Sequence, residues 1–199
     1  MVSFSYRFLG LKYLFLGLVG LSGLPADNLM IKELDDETVR PITIGFLVGR
    51  GVEAVPLLIR ALQDENPDRR QGAAVAIGRM ALLAQGDSLQ MLRDQAIPAL
   101  RDAVRDEDKR VRVQAALAIW RVNRDAKEAV PTLVALLQVH DTRVFYHAAD
   151  ALGRIGPQAK DAVPVLIAHL DDENTNIRVW SGNALKEIDP KAASDLGIH

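Results

Sequence analysis

Four histidines and no cysteines limit the chemistry that this chain could support. His147 and Asp150 lie three residues apart, which on a helix would place both side chains on one face, where they could bind a divalent metal. A single pair of this kind is more often a surface hydrogen bond, because a protein metal site usually needs at least three ligands. The remaining histidines are scattered along the chain, at His140, His169 and His199. The sequence therefore predicts no metal site and no bound cofactor.

The hydroxyl and glycine residues form none of the usual catalytic motifs. Ser88, Ser181 and Ser194 stand outside any Gly-x-Ser-x-Gly setting. The glycines between residues 45 and 51 lack the Lys-Ser/Thr of a phosphate-binding loop. Acidic clusters such as residues 171–173 recur between apolar segments, where capping of a helix N-terminus explains them better than calcium binding. The sequence predicts a protein without a catalytic site.

The charge balance argues against nucleic acid as a partner. The 199 residues include 24 Lys and Arg and 26 Asp and Glu, which gives a formal net charge of -2. Arginines concentrate at residues 69–70 and 110–124, but neighbouring carboxylates offset most of their charge. The composition, 49% hydrophobic but only 5% aromatic, is typical of stacked helices rich in Ala and Leu. We expect a protein partner, of an identity that the sequence does not specify, and no nucleic acid.

Residues 1–26 differ in composition from the rest of the chain. Arg7 and Lys12 precede an uncharged apolar run of 12 residues, 13–24, which is followed by Pro25 and Ala26. A basic start, a short apolar middle and a small residue before an acidic one are typical of a secretory signal peptide. The run is shorter than the ~20 residues that span a bilayer. We expect an exported, extracytoplasmic protein; an uncleaved membrane anchor and a buried first helix are the alternatives, and only the anchor would bring contact with a membrane.

An internal repeat is the strongest signal in residues 27–199. Four segments begin with an alanine, a β-branched residue and a proline, and their prolines are separated by 42, 33 and 33 residues: Pro56, Pro98, Pro131 and Pro164. Proline suits the first turn of a helix, where its missing N–H is not needed. Each unit then continues through an acidic turn into a second apolar-periodic stretch. The period predicts one supersecondary unit that recurs along the chain.

Each unit has the pattern of two helices, which we call helix A and helix B. In the third unit, Val144, Ala148, Leu152 and Ile155 fall on one face of helix B. A single hairpin cannot bury both of its faces, so the units must stack. Residues 34–40 resemble the start of a degenerate leading unit that acts as a cap. The nine extra residues in the first spacing, near 81–92, predict a longer loop with an extra helical turn.

At this point the motifs identify a family resemblance. The Ala-Val-Pro starts, the Val111-Arg112 pair and the run from Gly153 to Gly156 resemble HEAT repeats, and in particular those of the phycobilisome-lyase type, over residues 34–190. The resemblance implies an all-α fold: a right-handed α-solenoid of stacked antiparallel helix pairs, with four full repeats and a degenerate N-terminal cap. Members include protein-binding scaffolds, bilin lyase subunits, metal-dependent hydroxylases and nucleic-acid repair proteins. The His-Glu dipeptides of the hydroxylases are absent from this sequence.

The resemblance also implies a structural ladder of ion pairs between stacked repeats. In HEAT units an Asp and an Arg stand six residues apart, and three units keep this spacing: Asp64 with Arg70, Asp106 with Arg112, and Asp172 with Arg178. The third unit has Val139 and Phe145 instead. This departure predicts a break in the ladder, or another role for Phe145.

The face of helix B opposite its apolar stripe is the predicted partner-binding surface. Its candidate residues are Val113, Trp120, Tyr146, Asp150, Val179, Asn183 and Lys186. Trp120 is a candidate anchor, although Trp120 and Tyr146 could instead pack against each other between units; Trp180 is expected to be buried between repeats. The predicted function is that of a non-enzymatic scaffold that binds a protein through the concave helix-B face. The alternative is a bilin-lyase-like or chaperone-like subunit of an enzyme complex.

Overall fold

The computed structural model describes residues 25–198, and this part of the chain contains helices and no β-strand. Its α-helices are α1 (Pro25–Lys32), α2 (Arg40–Gly49), α3 (Val55–Ala61), α4 (Pro67–Leu83), α5 (Gly86–Ala103), α6 (Lys109–Asn123), α7 (Ala129–Leu137), α8 (Thr142–Ile155), α9 (Val163–Ala168), α10 (Thr175–Ile188) and α11 (Pro190–Asp195). Short 3₁₀ turns, Gly51–Ala54 and Gly156–Ala162, lead into α3 and α9. No helix between residues 25 and 198 has the length and hydropathy needed to cross a bilayer. The predicted signal peptide or anchor lies outside the described residues for all but its last two positions.

Four helix pairs follow one another, with α3, α5, α7 and α9 as A helices and α4, α6, α8 and α10 as B helices. Each A helix packs against the B helix that follows it, and each B helix packs against the B helices of adjacent units. The pair α1 and α2 precedes them as a shortened leading unit, in which α2 contacts α4. The predicted α-solenoid of four repeats and a degenerate N-terminal cap is confirmed.

Side-chain caps start every B helix of the four full units. The cap residue accepts a hydrogen bond from the backbone N–H two positions later, at 2.8–2.9 Å, in each case: Asn66, Asp108, Asp141 and Asn174. Such caps satisfy N–H groups that the first turn of a helix leaves without a partner. The turns thus start the helices, but the prediction that their acidic clusters supply the caps holds only for Asp108 and Asp141; in the last unit the cap is Asn174, after the cluster at residues 171–173.

The structure corrects the prediction of a longer loop near residues 81–92, because this segment is mostly helical. Helix α4 continues to Leu83, and α5 begins at Gly86, so that Pro98 lies inside α5 rather than in its first turn. Gly86 has a φ of +53°, and the hydroxyl of Ser88 accepts a hydrogen bond from the N–H of Gln85 at 3.1 Å. A capping box therefore starts the helix where the sequence resembled a turn. Buried Leu92 ties the added turns to the core.

The apolar interior is divided along α6. Val111, Ala115 and Ala118 belong to a core that extends back to α1. Val113 and Leu117, on another side of the same helix, belong to a second core that extends forward to α11. Helix α6 is therefore the wall that the two cores share, and it is buried on more than one side.

The last unit is covered by a short helix that the sequence pattern did not predict. The carboxylate of Asp189 caps α11 by accepting a hydrogen bond from the N–H of Ala192 at 3.1 Å. Ala193 is buried, and Ile198 approaches the position of Gly182 on α10. Helix α11 thus shields the apolar end of α10, which a repeat array must do where stacking stops.

Candidate functional site

The B helices line the inner side of the array. Successive B helices pack directly against each other, from α4 through α6 and α8 to α10, whereas successive A helices make fewer contacts. The elements that approach more closely lie on the inside of a curve. The surface of the B helices is therefore the concave side, where extended repeat proteins offer their binding surfaces.

A groove of about 510 Å³ lies between α8 and α10 on this inner side. Aromatic, polar and charged side chains line it: Tyr146, Asp150 and Arg154 from α8, and Trp180, Asn183, Lys186 and Glu187 from α10. Gly153 also lines it. The mixture of apolar surface with a few polar groups is typical of a binding site rather than of a gap in packing.

An aromatic pair forms one part of the groove. The ring centroids of Tyr146 and Trp180 are 5.0 Å apart, and the rings are inclined by 53°. Tyr146 is 40% exposed, and Trp180 is half-buried and packs against the second core. Tyr146 thus contacts Trp180 rather than Trp120, the partner that the sequence suggested. An aromatic group held on one side by its neighbour offers its other face to a ligand with little loss of conformational entropy.

One repeat position controls how closely the B helices approach. A Cβ added at Gly78 would lie 3.1 Å from a guanidinium nitrogen of Arg121 and 3.4 Å from Cα of Ala118, so α4 and α6 meet nearly backbone to backbone. Gly153 gives α8 a similar approach to α10, with 3.6 Å between an added Cβ and the nearest Cα. Trp120 stands at the same repeat position in α6, and α6 packs less closely against α8. The indole therefore holds the second and third units apart.

The polar groups of the groove balance in charge. A guanidinium nitrogen of Arg154 lies 3.8 Å from the carboxylate of Asp150 one turn earlier.

Burial lowers the pKa of His147; Asp150 opposes this effect, and Arg110 and Arg143 add to it. His147 and Asp150 make no hydrogen bond with each other. Among residues 25–198 no group of three or more carboxylate or imidazole side chains is arranged to hold a metal ion.

Six of the seven predicted partner-binding residues divide into two sets, those that line the groove and those that lie outside it. Tyr146, Asp150, Asn183 and Lys186 line the groove. Val179 is 52% exposed but lies outside the groove, and Trp120 is half-buried against the second core.

The structure corrects the prediction that Val113 lies on the exposed partner-binding surface. Val113 is 1% exposed and packs in the second core, because α6 is covered by both helices of the next unit, α7 and α8, as well as by its own A helix. The sequence missed Trp180, Arg154 and Glu187 as groove residues. The repeat equivalence of Arg154 and Glu187 was the signal that could have identified them.

The ion-pair ladder has one complete rung among the described units. Nε and a terminal nitrogen of Arg70 donate to the two carboxylate oxygens of Asp106, in the next unit, at 2.7 and 2.8 Å. Another nitrogen of Arg70 donates to the carbonyl oxygens of Asp64 and Glu65. Both side chains of the ion pair are about 9% exposed. A bidentate, buried pair of this kind fixes the distance between the first and second units.

The next two ion pairs of the ladder do not form among the described residues: the first lacks its aspartate, and the second lacks its arginine. Arg112 corresponds to Arg70 but faces Val139 instead of an aspartate, and its Nε is buried without a hydrogen-bond partner in the described part of the chain. In the following rung the acid is present and the arginine is absent. Phe145 packs edge-on against His169, with 4.9 Å between the ring centroids, and Nδ1 of His169 lies 3.3 Å from the carboxylate of Asp172.

We expect Val139→Asp to stabilise the protein by about 1–2 kcal/mol, because it supplies the missing partner of Arg112. The turn that Asp106 forms by accepting from the N–H of Asp108 at 2.8 Å would form here only if the N–H of Asp141 gave up the carbonyl oxygen of Val139, to which it donates at 2.7 Å. Urea unfolding of the wild type and the variant measures the change. Val139→Asn, which forms the turn without the charge, separates the two effects and should give less than half of the gain. Equal stability of all three proteins would contradict the assignment of Arg112 as an unfilled rung.

Comparison with known proteins agrees with this geometry. A sequence profile of HEAT repeats matches residues 97–186, and a single HEAT repeat matches residues 54–84. Among solved structures, the complex of CpcE and CpcF of phycocyanin lyase from Nostoc sp. is 24% identical over 85% of this chain and 68% of that one, with a TM-score of 0.55.

Two further structures are similar in fold. An engineered protein is 21% identical over 82% of this chain and 79% of that one, with a TM-score of 0.51. A designed armadillo repeat protein in complex with the peptide (KR)4 is 19% identical over 80% of each chain, with a TM-score of 0.52. No curated protein sequence matches the chain.

Proposed function

The chain belongs to the family of HEAT repeats, and from that premise we propose that it is a non-enzymatic scaffold that binds an extended segment of a partner protein in the groove between α8 and α10. The groove with its exposed aromatic pair is the observation that carries this proposal. HEAT and armadillo solenoids are typically scaffolds without catalytic activity.

The dimensions and lining of the groove favour a peptide segment over a small molecule. The groove is open to solvent rather than closed on all sides, and side chains of two neighbouring B helices line it. The amide of exposed Asn183 can donate and accept hydrogen bonds, which suits the backbone of an extended chain. Tyr146 and Trp180 provide apolar surface for one side chain of such a segment.

The similar structures support this reading at the level of the fold. The designed armadillo repeat protein holds a peptide, and CpcE forms a complex with CpcF. At 24% identity the likeness to the phycocyanin lyase subunits extends to the fold alone, so the alternative of a lyase-like subunit has no residue of this chain in its support.

Selection from a random peptide library on the full-length protein tests the proposal. We expect enrichment of a family of related sequences, and we expect Tyr146→Ala to weaken their binding at least about ten-fold, since it removes the anchor of the groove. Fluorescence anisotropy with a labelled, enriched peptide measures the dissociation constant. Asn183→Ala should weaken binding about three- to ten-fold, because it removes contacts to the peptide backbone.

Leu83→Ala is the matched control, because Leu83 is 72% exposed on α4 and lies outside this groove. It should leave the dissociation constant within about two-fold of the wild-type value. The proposal fails if no sequence family is enriched, or if enriched peptides bind Tyr146→Ala and the wild type equally.

We also propose that the mature protein is extracytoplasmic, and this proposal depends on the sequence of residues 1–26 alone. Its alternative is retention in the membrane through an uncleaved segment. N-terminal sequencing of the native protein separates the two. A start near Asp27 supports export, whereas an intact, membrane-retained chain overturns cleavage.

A further inference from the structure

Three arginines occupy one repeat position on successive B helices. Arg79, Arg121 and Arg154 are separated by 42 and 33 residues, the same intervals as the prolines that start the units, and Glu187 follows at the next interval of 33. Arg79 and Arg154 are exposed, whereas Arg121 is only 5% exposed. We call these three residues the arginine column.

Among residues 25–198, Arg121 is a buried cation without a partner. Its Nε is buried and makes no hydrogen bond within residues 25–198, and no ion pair of its guanidinium is formed there. Only Nε is wholly enclosed, so the terminal nitrogens reach the inner surface. One of them covers Gly78 on α4. A charged group that is buried without hydrogen bonds is unfavourable unless an opposite charge compensates for its lost hydration.

The charges around Arg121 further favour the binding of an anion. Burial, the largest cause, and the positive charges of Arg154 and Arg79 together lower the pKa of Arg121 to about 10, against the opposing effect of the negative charge of Asp150. Asp150 lies too far away for a hydrogen bond or an ion pair with Arg121. Arg121 therefore keeps its charge at neutral pH in a site that has an excess of positive charge.

Arg70 shows what the chain does with a buried arginine that has a structural role. Arg70 is 7% exposed, much as Arg121 is, but it donates five hydrogen bonds, to the carboxylates of Asp106 and Glu107 and to two carbonyl oxygens. The guanidinium of Arg121 has none of these contacts. The difference indicates a group that is kept for a ligand rather than for the fold.

We propose that the arginine column, with Arg121 at its centre, binds the carboxylate of an acidic side chain in the partner segment. This inference rests on the proposed function, because it names the chemistry of the segment that the groove receives. The planar guanidinium fork matches a carboxylate in a bidentate arrangement. A nucleic acid is a poorer occupant, because it carries a phosphate at every nucleotide and several of them would pass the carboxylates of Asp150 and Glu187, whereas a peptide can place a single carboxylate at Arg121.

Binding of defined probes to the full-length protein tests the proposal. We expect labelled hexaglutamate to bind in fluorescence anisotropy, and hexaglutamine and hexalysine not to bind. Arg121→Met should weaken hexaglutamate at least about ten-fold, because the variant keeps the aliphatic stem and loses the fork. Arg121→Lys keeps the charge and should still weaken it about three-fold or more. Arg60→Met, at an exposed position on the outer helix α3, is the control and should stay within about two-fold of the wild type.

Thermal unfolding gives a second readout that needs no ligand. Arg121→Met should raise the melting temperature by about 2–6 °C, because it removes an unpaired buried charge. A lower melting temperature would assign Arg121 to the fold and overturn the proposal. Tighter binding of a twelve-residue oligothymidine than of hexaglutamate, or equal loss in Arg60→Met, would overturn it as well.

The two proposals fail in different ways. Library peptides that lack acidic residues but depend on Tyr146 would leave the groove intact as a binding site and remove the carboxylate site. Absence of any enriched sequence, combined with binding of hexaglutamate that depends on Arg121, would remove the peptide groove and leave an anion site on the inner surface.

Discussion

Asp106→Ala is expected to destabilise the protein by about 3–5 kcal/mol, because it leaves the guanidinium of Arg70 buried without its carboxylate. The change also removes the hydrogen bond that Asp106 accepts from the N–H of Asp108, at the start of α6. The first loss falls on the interface between the first and second units, and the second falls on the turn that starts α6. Urea unfolding followed by circular dichroism measures the effect.

Two further variants identify the cause of this loss. Asp102→Ala, at an exposed position on α5, should change the free energy of unfolding by less than about 0.5 kcal/mol. Arg70→Met combined with Asp106→Ala should recover part of the loss, because no uncompensated charge then remains in the interface. A double variant as unstable as the sum of the single variants would contradict the buried ion pair as the origin.

Phe145→Ala is expected to reduce the free energy of unfolding by about 3–5 kcal/mol. Phe145 is 1% exposed and is among the largest side chains that are fully buried in the described part of the chain. Its truncation would leave a cavity beside the imidazole of His169, whose ring it contacts edge-on. Thermal and urea unfolding both report the loss.

Phe145→Leu is the graded control, because it keeps most of the buried apolar volume and should lose only about 1–2 kcal/mol. Tyr146→Ala, at the neighbouring exposed position, should reduce the free energy of unfolding by less than Phe145→Ala does, while it weakens binding in the groove at least about ten-fold. Equal destabilisation by Phe145→Ala and Tyr146→Ala would show that burial at residue 145 is not what stabilises this unit.

The helical architecture could be predicted because each repeat contains several sequence features that favour helices. Proline, an acidic turn and an apolar stripe recur with one period, and each has a local physical reason to start or extend a helix. The segment near residues 81–92 was misread because a glycine followed by Asp87 and Ser88 is typical of turns. In the structure Gly86 supplies the positive φ and Ser88 the cap that start α5. Turn chemistry and helix-start chemistry use the same residue types, and the apolar residues beyond them decide the outcome.

The candidate site was only partly predictable, since the amphipathic pattern of one helix reveals one packing partner. The pattern of helix B shows the stripe that faces its own A helix, and it therefore predicts that the opposite side is exposed. For Tyr146 and Asn183 that inference agrees with their exposure. It failed for Val113, because an inner helix is also covered by the next B helix. The absence of a partner for Arg121 depends on three helices at once and has no local signature.

The shared position of α6 has a consequence for how the array comes apart. Each of the two apolar cores lacks a complete wall without α6, but neither needs the whole of the other. Loss of α7 to α11 would uncover Val113 and Leu117 while Val111 and Ala115 stayed in contact with the preceding helices. We therefore expect denaturation to proceed through two cooperative blocks coupled by a single helix, with amide exchange in α6 following whichever block opens last.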